Sequence, residues 1–194
     1  IMKTLQECGI EENTIVMFTS DNGAVMFSDT LEQGHRSNSI FLGQKTDAWE
    51  GGVRIPCIVR WPGQIKAGST SDAIFNLSDI SKTVWDAAGI KPELDTALDS
   101  ISQLKLWLNP DSEPARTEML HNGVFGMAFR SGDWVYLPRK GSSGMTTGPG
   151  DWFQPIHKMG LPNSDYDEEG KIKDDAPDTQ LYNLKKDPSQ SHNV

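Results

Sequence analysis

Cysteine is scarce in this chain of 194 residues: only Cys8 and Cys57 occur. Two are too few for a disulfide framework, and neither lies in a Cys-x-x-Cys or Cys/His metal spacing, so both read as buried thiols. Basic residues are also in short supply. Eighteen Lys and Arg against 27 Asp and Glu leave a net charge of −9, which provides no basic face for nucleic acid or for an anionic membrane surface. No stretch approaches the roughly 20 apolar residues of a membrane-spanning helix, and no signal-like order of charge, apolar run and small residues opens the chain. The first residue is Ile1, not Met, which sets the expectation of a processed or truncated start and leaves the compartment open. With the 18 glycines added to the 36% apolar residues, the composition approaches the globular norm of about 45–50%. At about 150 residues per domain, one domain or one with an appendage is expected.

Residues 2–8 carry apolar positions at helical spacing and stop at Gly9, predicting a helix end with a glycine cap. Thr14-Ile15-Val16-Met17-Phe18-Thr19 is a continuous β-branched and apolar run, predicting a strand buried on both faces of a mainly parallel sheet. It ends abruptly at Ser20-Asp21-Asn22-Gly23. A glycine-rich loop over 23–52 should precede a second strand over Val53–Trp61, turned by Pro62-Gly63. Asp79–Ala88 reads as an amphipathic helix with Ser78 or Asp79 as N-cap and Gly89 as stop. This order fits the edge of an α/β sheet. Residues 92–116 read as a connection with a short helix at 101–108. Val124–Arg130 and Trp134–Leu137 then flank Ser131-Gly132-Asp133, which predicts an antiparallel hairpin. A long surface excursion is expected from Lys140 to Pro177, and a last strand over Leu181–Leu184.

Asp21 and Asn22 lie just beyond the carboxyl end of the first strand, where open α/β sheets place ligand sites. In a tight turn ending at Gly23, a carboxylate and an amide oxygen can converge on one hard cation, calcium or magnesium rather than zinc. The bland alternative is an ordinary turn, since Asp-Asn-Gly favours one on its own. Lys45 sits in a glycine-flanked loop, where a compact positive charge could meet an anionic oxygen. Glu50 and Arg54 read as a structural ion pair. Trp49, Trp134, Trp152 and Phe153 could line a sugar- or aryl-binding rim, with core packing the better reading for Trp134.

Taken together, Thr19-Ser20-Asp21-Asn22-Gly23, then Gly43-Gln44-Lys45-Thr46-Asp47-Ala48-Trp49-Glu50-Gly51-Gly52-Val53-Arg54-Ile55-Pro56, then Trp61-Pro62-Gly63, closely resemble the latter part of the sulfatase family. Leu98-Asp99, the Pro114–Asn122 segment, Arg130–Trp134, Leu181–Leu184 and Asp187-Pro188 recur in the order seen in arylsulfatase B-like (N-acetylgalactosamine-4-sulfatase-like) chains. Asp99-Ser100 replaces the Asp-Gly usual there. The resemblance implies an α/β class and the carboxyl-terminal portion of an alkaline-phosphatase-like fold. Residues 1–91 would be the last part of the α/β domain. Residues 92–194 would be a connection and a small antiparallel-sheet subdomain, with a long loop over 140–178.

The same resemblance makes Asp21 and Asn22 the family's second pair of calcium ligands, with magnesium as the alternative ion, and Lys45 the lysine that contacts the substrate sulfate. It implies hydrolysis of an aryl or carbohydrate sulfate ester, and a secreted, periplasmic or lysosomal setting. His121 and Trp152 are weaker substrate-binding candidates, the latter through a Trp-Phe pair in a late loop. His35, His157 and His192 read as structural or solvent-facing. The family's nucleophile is a formylglycine made within Cys/Ser-x-Pro-x-Arg near the amino terminus, alongside the first metal pair. Ser112-Glu113-Pro114-Ala115-Arg116 fits that bare pattern, but it follows the lysine motif and reads as linker. The chain is therefore expected to need a missing amino-terminal half as partner and to be inactive alone. The alternatives are a non-catalytic binding piece that completes a site with a separate half, and a phosphate or phosphonate ester hydrolase of the same superfamily.

Overall fold

The computed structural model describes residues 1–94, 96–146 and 156–194. Two compact units emerge, each assembled from two stretches: Ile1–Thr19 with Pro56–Thr117, and Ser20–Ile55 with Glu118–Val194.

The first unit opens with α1 (Met2–Glu7). Gly9, at φ +68°, ends it. The amides of Gly9 and Ile10 fold back onto the carbonyls of Gln6 and Leu5 at 3.0 and 3.1 Å, which satisfies helical carbonyls that would otherwise be orphaned. β1 (Val16–Thr19) pairs antiparallel with β2 (Cys57–Arg60), Val16 opposite Arg60 and Thr19 opposite Cys57. The expected parallel strand buried on both faces is thus corrected. Phe18 and Ile58 stand opposite each other and are 62% and 63% exposed. An apolar run announces a strand, but it does not say which direction its partner takes or whether a layer covers it. Cys8 and Cys57 are likewise exposed rather than buried.

α4 (Ile80–Ala87) forms within the predicted range with Asp79 at its N-cap position, as expected, but Asp79 makes no side-chain cap bond to the helix and the capping bonds lie one turn upstream. Asn76 Oδ1 accepts from the Ser78 amide at 2.9 Å while Asp79 Oδ2 accepts from the Asn76 amide at 3.1 Å. This is a reciprocal box over the 3-10 turn Leu77–Asp79. The fully buried Asp79 carboxylate also accepts from the Ile101 amide (2.9 Å), Gln103 Nε2 (3.1 Å) and Arg116 Nε (3.0 Å) and Nη2 (2.5 Å). It therefore stitches the proline-containing connection, with α5 (Leu104–Leu108), onto α4. Burial alone would raise its pKa, yet the bonds from Arg116, Ile101 and Asn76 outweigh that and hold the carboxyl below its ordinary range.

The second unit is built on an antiparallel sheet in the order β3 (Glu118–Asn122), β4 (Met127–Ser131), β5 (Trp134–Leu137) and β6 (Gln180–Asn183). Ser131 pairs with Trp134, so Gly132-Asp133 is a two-residue hairpin loop. Gly132 lies at φ +54°, which its first position requires when strand twist is to be matched. Along the strands His121, Ala128, Val135, Leu137 and Tyr182 face inward. They pack with Leu42, Ala48, Trp49 and Leu184 from the flanking segments, joined by Ile156 of α6 (Ile156–Met159) and by Tyr166. Trp49 is completely buried, donates Nε1–H to Gln180 Oε1 at 3.0 Å and meets Tyr166 edge-on at 5.9 Å. Trp134 instead is 44% exposed on the outer face. The core position expected of Trp134 is thus taken by Trp49, because inward and outward positions alternate along β5 and Trp134 falls on the outward set.

Candidate functional site

Asp21, Asn22 and Lys45 all belong to the second unit. Three short segments meet around them: the turn 20–24, the loop 42–47 and α3 (Glu50–Val53), with α2 (Ser28–Glu32) lying in the chain between the first two. Val53, expected to begin a strand, closes this one-turn helix. The contact between turn and helix is backbone against backbone. The Gly23 amide donates to Gly52 O at 2.8 Å, and a Cβ on Gly23 would stand 1.9 Å from Gly51 O. Only glycine permits that approach. Asn38 closes the other side. Its Oδ1 accepts from the Ala24 amide at 2.9 Å, and its Nδ2 donates to Ala24 O at 3.0 Å and Gly43 O at 3.1 Å.

The Lys45 amide donates to Ala24 O at 3.0 Å, which ties the lysine's backbone to the residue two places past Asn22. Its side chain is exposed and, among the described residues, makes no ion pair. Asp21 is exposed as well, with a 3.5 Å contact from the Ser20 hydroxyl. Asn22 spends Nδ2 on Gly23 O at 3.0 Å, which leaves its Oδ1 without a hydrogen-bond donor among the described residues. One carboxylate and one unspent amide oxygen are the donor types a hard divalent cation takes. Two residues fall well short of the roughly six to eight oxygens calcium prefers. Among the described residues no group of three or more His, Cys, Asp or Glu converges.

His121 lies on the inward face of β3, 9% exposed, with Nε2 2.9 Å from Ala48 O. A carbonyl can only accept, so Nε2 carries the proton. Burial lowers the pKa of the ring, with the Ala48 carbonyl and the Glu50 charge pulling the other way, so the net effect favours the neutral imidazole. It thus anchors the lysine loop from beneath. Trp152 and Phe153 lie outside the described residues. Glu50 and Arg54 form the ion pair read from sequence, at 2.6 Å, with Arg130 3.9 Å away and the Arg54 guanidinium 4.7 Å over the Phe41 ring.

Three residues that organise the loop escape a reading along the chain: Asn38, Gln44 and Asp47, all buried and polar. Gln44 Oε1 accepts from the Met26 amide at 3.0 Å, and its Nε2 donates to Thr146 Oγ1 at 2.9 Å. Asp47 has its pKa raised to about 6 by burial, against the pull of bonds from Thr146, Ser142 and Gln44. No periodic signal could have marked them. Gln44 and Asp47 at least lie inside the glycine-flanked motif Gly43–Pro56, whereas Asn38 precedes it.

The sequence profile of the sulfatase family matches residues 1–90. N-acetylgalactosamine-6-sulfatase of Rattus norvegicus is 43% identical over 108 residues, which cover 56% of this chain and 20% of that protein. N-acetylgalactosamine-6-O-sulfatase of Bacteroides thetaiotaomicron is 33% identical over 202 aligned residues, covering 100% of this chain and 35% of the relative. Among solved structures, one from work on the metabolism of multiple glycosaminoglycans by Bacteroides thetaiotaomicron superposes with a TM-score of 0.75 at 30% identity. It covers 100% of this chain and 37% of that one. The PsFucS1 sulfatase from Pseudoalteromonas gives 0.69 at 26%, covering 100% and 35%. The chain thus spans only about a third of the Bacteroides thetaiotaomicron relative, and its match covers a fifth of the Rattus norvegicus one.

Proposed function

Because the chain belongs to the sulfatase family and folds as a carboxyl-terminal portion of its alkaline-phosphatase-like architecture, we propose that it supplies one wall of the active site of a sulfate-ester hydrolase. Hydrolysis would convert a sulfate ester and water into an alcohol and inorganic sulfate. The curated relatives named above act, by their names, on 6-sulfated N-acetylgalactosamine, and a sulfated hexosamine is the substrate class proposed here. The arylsulfatase B-like subtype has no such support among them.

What carries this reading is Lys45: an exposed ammonium without an ion-pair partner among the described residues, on a loop hydrogen-bonded to the Asp21-Asn22 turn. Its charge would hold one sulfate oxygen and offset the negative charge the sulfate already carries, which would otherwise repel the attacking nucleophile as the S–O bond breaks. Fixing the sulfate against a prebuilt turn also orients the ester for attack. Asp21 and Asn22 would hold calcium together with ligands from the amino-terminal half. When bound there, the ion supplies positive charge to the sulfate and to the nucleophile. The formylglycine nucleophile would come from that same half, so these 194 residues alone are expected to show no turnover.

The test is Lys45→Ala in the complete enzyme, assayed on N-acetylgalactosamine 6-sulfate. A loss of about 10²–10³ in kcat/KM is expected for removing one preorganised partner of the sulfate anion. Unchanged turnover would exclude Lys45 from the site.

A further inference from the structure

Lys45 is followed by a residue in an unfavourable conformation: Thr46 lies at φ +84°, a region that a β-branched residue occupies only when its surroundings hold it there. The holding contacts all come from beyond β3. Thr46 O accepts from the Val124 amide at 2.9 Å, and Thr46 Oγ1 accepts from the Met145 amide at 3.0 Å. The next residue, Asp47, is 1% exposed and spends its carboxylate on its own loop and on the segment 142–146. Oδ2 accepts from the Gln44 amide at 3.0 Å and from Thr146 Oγ1 at 2.5 Å, while Oδ1 is 3.3 Å from the Thr146 amide. Gln44 completes the ring, donating to Thr146 Oγ1 at 2.9 Å.

A buried carboxylate is costly unless its oxygens are occupied, and here every contact it makes bears on the turn that presents Lys45. We propose that Asp47 and Thr146 form a latch in which the segment 142–146 sets the backbone of the Lys45 turn, making both of them positioning residues for the sulfate-binding lysine. The latch deepens the function proposed above and rests on Lys45 being the sulfate ligand. The segment 142–146 then influences the rate without touching the substrate. The Thr146 hydroxyl both accepts from Gln44 and donates to Asp47. Valine at this position keeps the shape and loses both bonds, whereas serine keeps them.

Two readouts test the latch. On the 194-residue chain, hydrogen exchange of the Lys45 and Asp47 amides, which donate to Ala24 O and Gln44 O at 3.0 Å each, reports on the turn directly. Thr146→Val should speed both at least about tenfold while strand amides of β4 and β5 keep their protection, and Thr146→Ser should match the parent chain. In the complete enzyme, Thr146→Val should lower kcat/KM about ten- to a hundredfold, with Thr146→Ser restoring it. Unchanged exchange at Lys45 and Asp47 in Thr146→Val overturns the latch whatever the activity. So does Thr146→Val at parental turnover when Lys45→Ala is inactive, and in that case the sulfate-binding role of Lys45 survives. Should Lys45→Ala itself turn over normally, the function fails and the latch has nothing to position. Where Thr146→Val does not fold, Asp47→Asn replaces it, since the amide presents a donor where a donor already points.

Discussion

Replacing Asp79 by alanine removes the acceptor for Arg116, Gln103 and the amides of Asn76 and Ile101 at one stroke. Arg116 is left with 12% side-chain exposure and, among the described residues, only the Asp99 carbonyl, 2.7 Å from Nη2. Breaking a buried pair in this way costs about 3–5 kcal/mol, because one charge stays behind uncompensated. Measured by urea unfolding at pH 7 with a slope of about 2 kcal/mol per M, the midpoint should fall by about 2 M. The two ends of the connection should also lose amide protection, since residues 92–116 are held to α4 through this carboxylate. Sign follows from the depressed pKa: the stabilisation is complete above the unfolded value of about 3.9 and disappears as pH falls through the lower folded value. The gap between parent and Asp79→Ala should therefore narrow only below about pH 4. A midpoint shift under about 0.5 M at pH 7 would refute the assignment of Asp79 as the tie between connection and helix.

Asp47 behaves oppositely. Its pKa is raised to about 6, so its contribution to stability is greatest below the unfolded value and declines as pH rises towards 6. The thermal midpoint of Asp47→Asn should lack that decline, which melting curves between pH 4 and 7 would detect. Trp49→Ala should cost about 3–5 kcal/mol and Trp134→Ala under about 1 kcal/mol, a contrast that urea midpoints read directly. Gly51→Ala would drive a Cβ to within 2.3 Å of Gly43 O and 2.6 Å of Leu42 O. It should destabilise the second unit; in the complete enzyme, Asp21→Ala should abolish any calcium-dependent rise in melting temperature with little change in the calcium-free midpoint.

The elements that announce themselves by local pattern stand close to where periodicity puts them: α1 with its glycine stop, α4, α5, the β4–β5 hairpin and β6. Those that depend on distant partners do not. β1 reads as a strand from its apolar run, but nothing in that run tells that β2 pairs with it antiparallel. β3, Glu-Met-Leu-His-Asn, alternates too weakly to be recognised and becomes a strand by pairing with β4. α3 contains two glycines and has poor intrinsic propensity. It forms because Gly51 N and Arg54 N donate to Leu42 O and Glu50 O at 2.7 Å each. At the candidate site, Asp21, Asn22 and Lys45 were legible as chemistry. Asn38, Gln44, Asp47 and Thr146 were not, since a buried polar residue differs from a solvated one only through partners up to a hundred positions away.

In the proposed enzyme, Lys45 and the Asp21-Asn22 pair serve one sulfate group. A crystal structure of the complete enzyme with calcium and a bound sulfate or sulfated hexosamine tests it most directly. The Lys45 ammonium should lie within hydrogen-bond distance of a sulfate oxygen, with Asp21 and Asn22 oxygens on the cation beside it. A sulfate bound elsewhere, with Lys45 pointing to solvent and no ion at Asp21 and Asn22, would contradict the account.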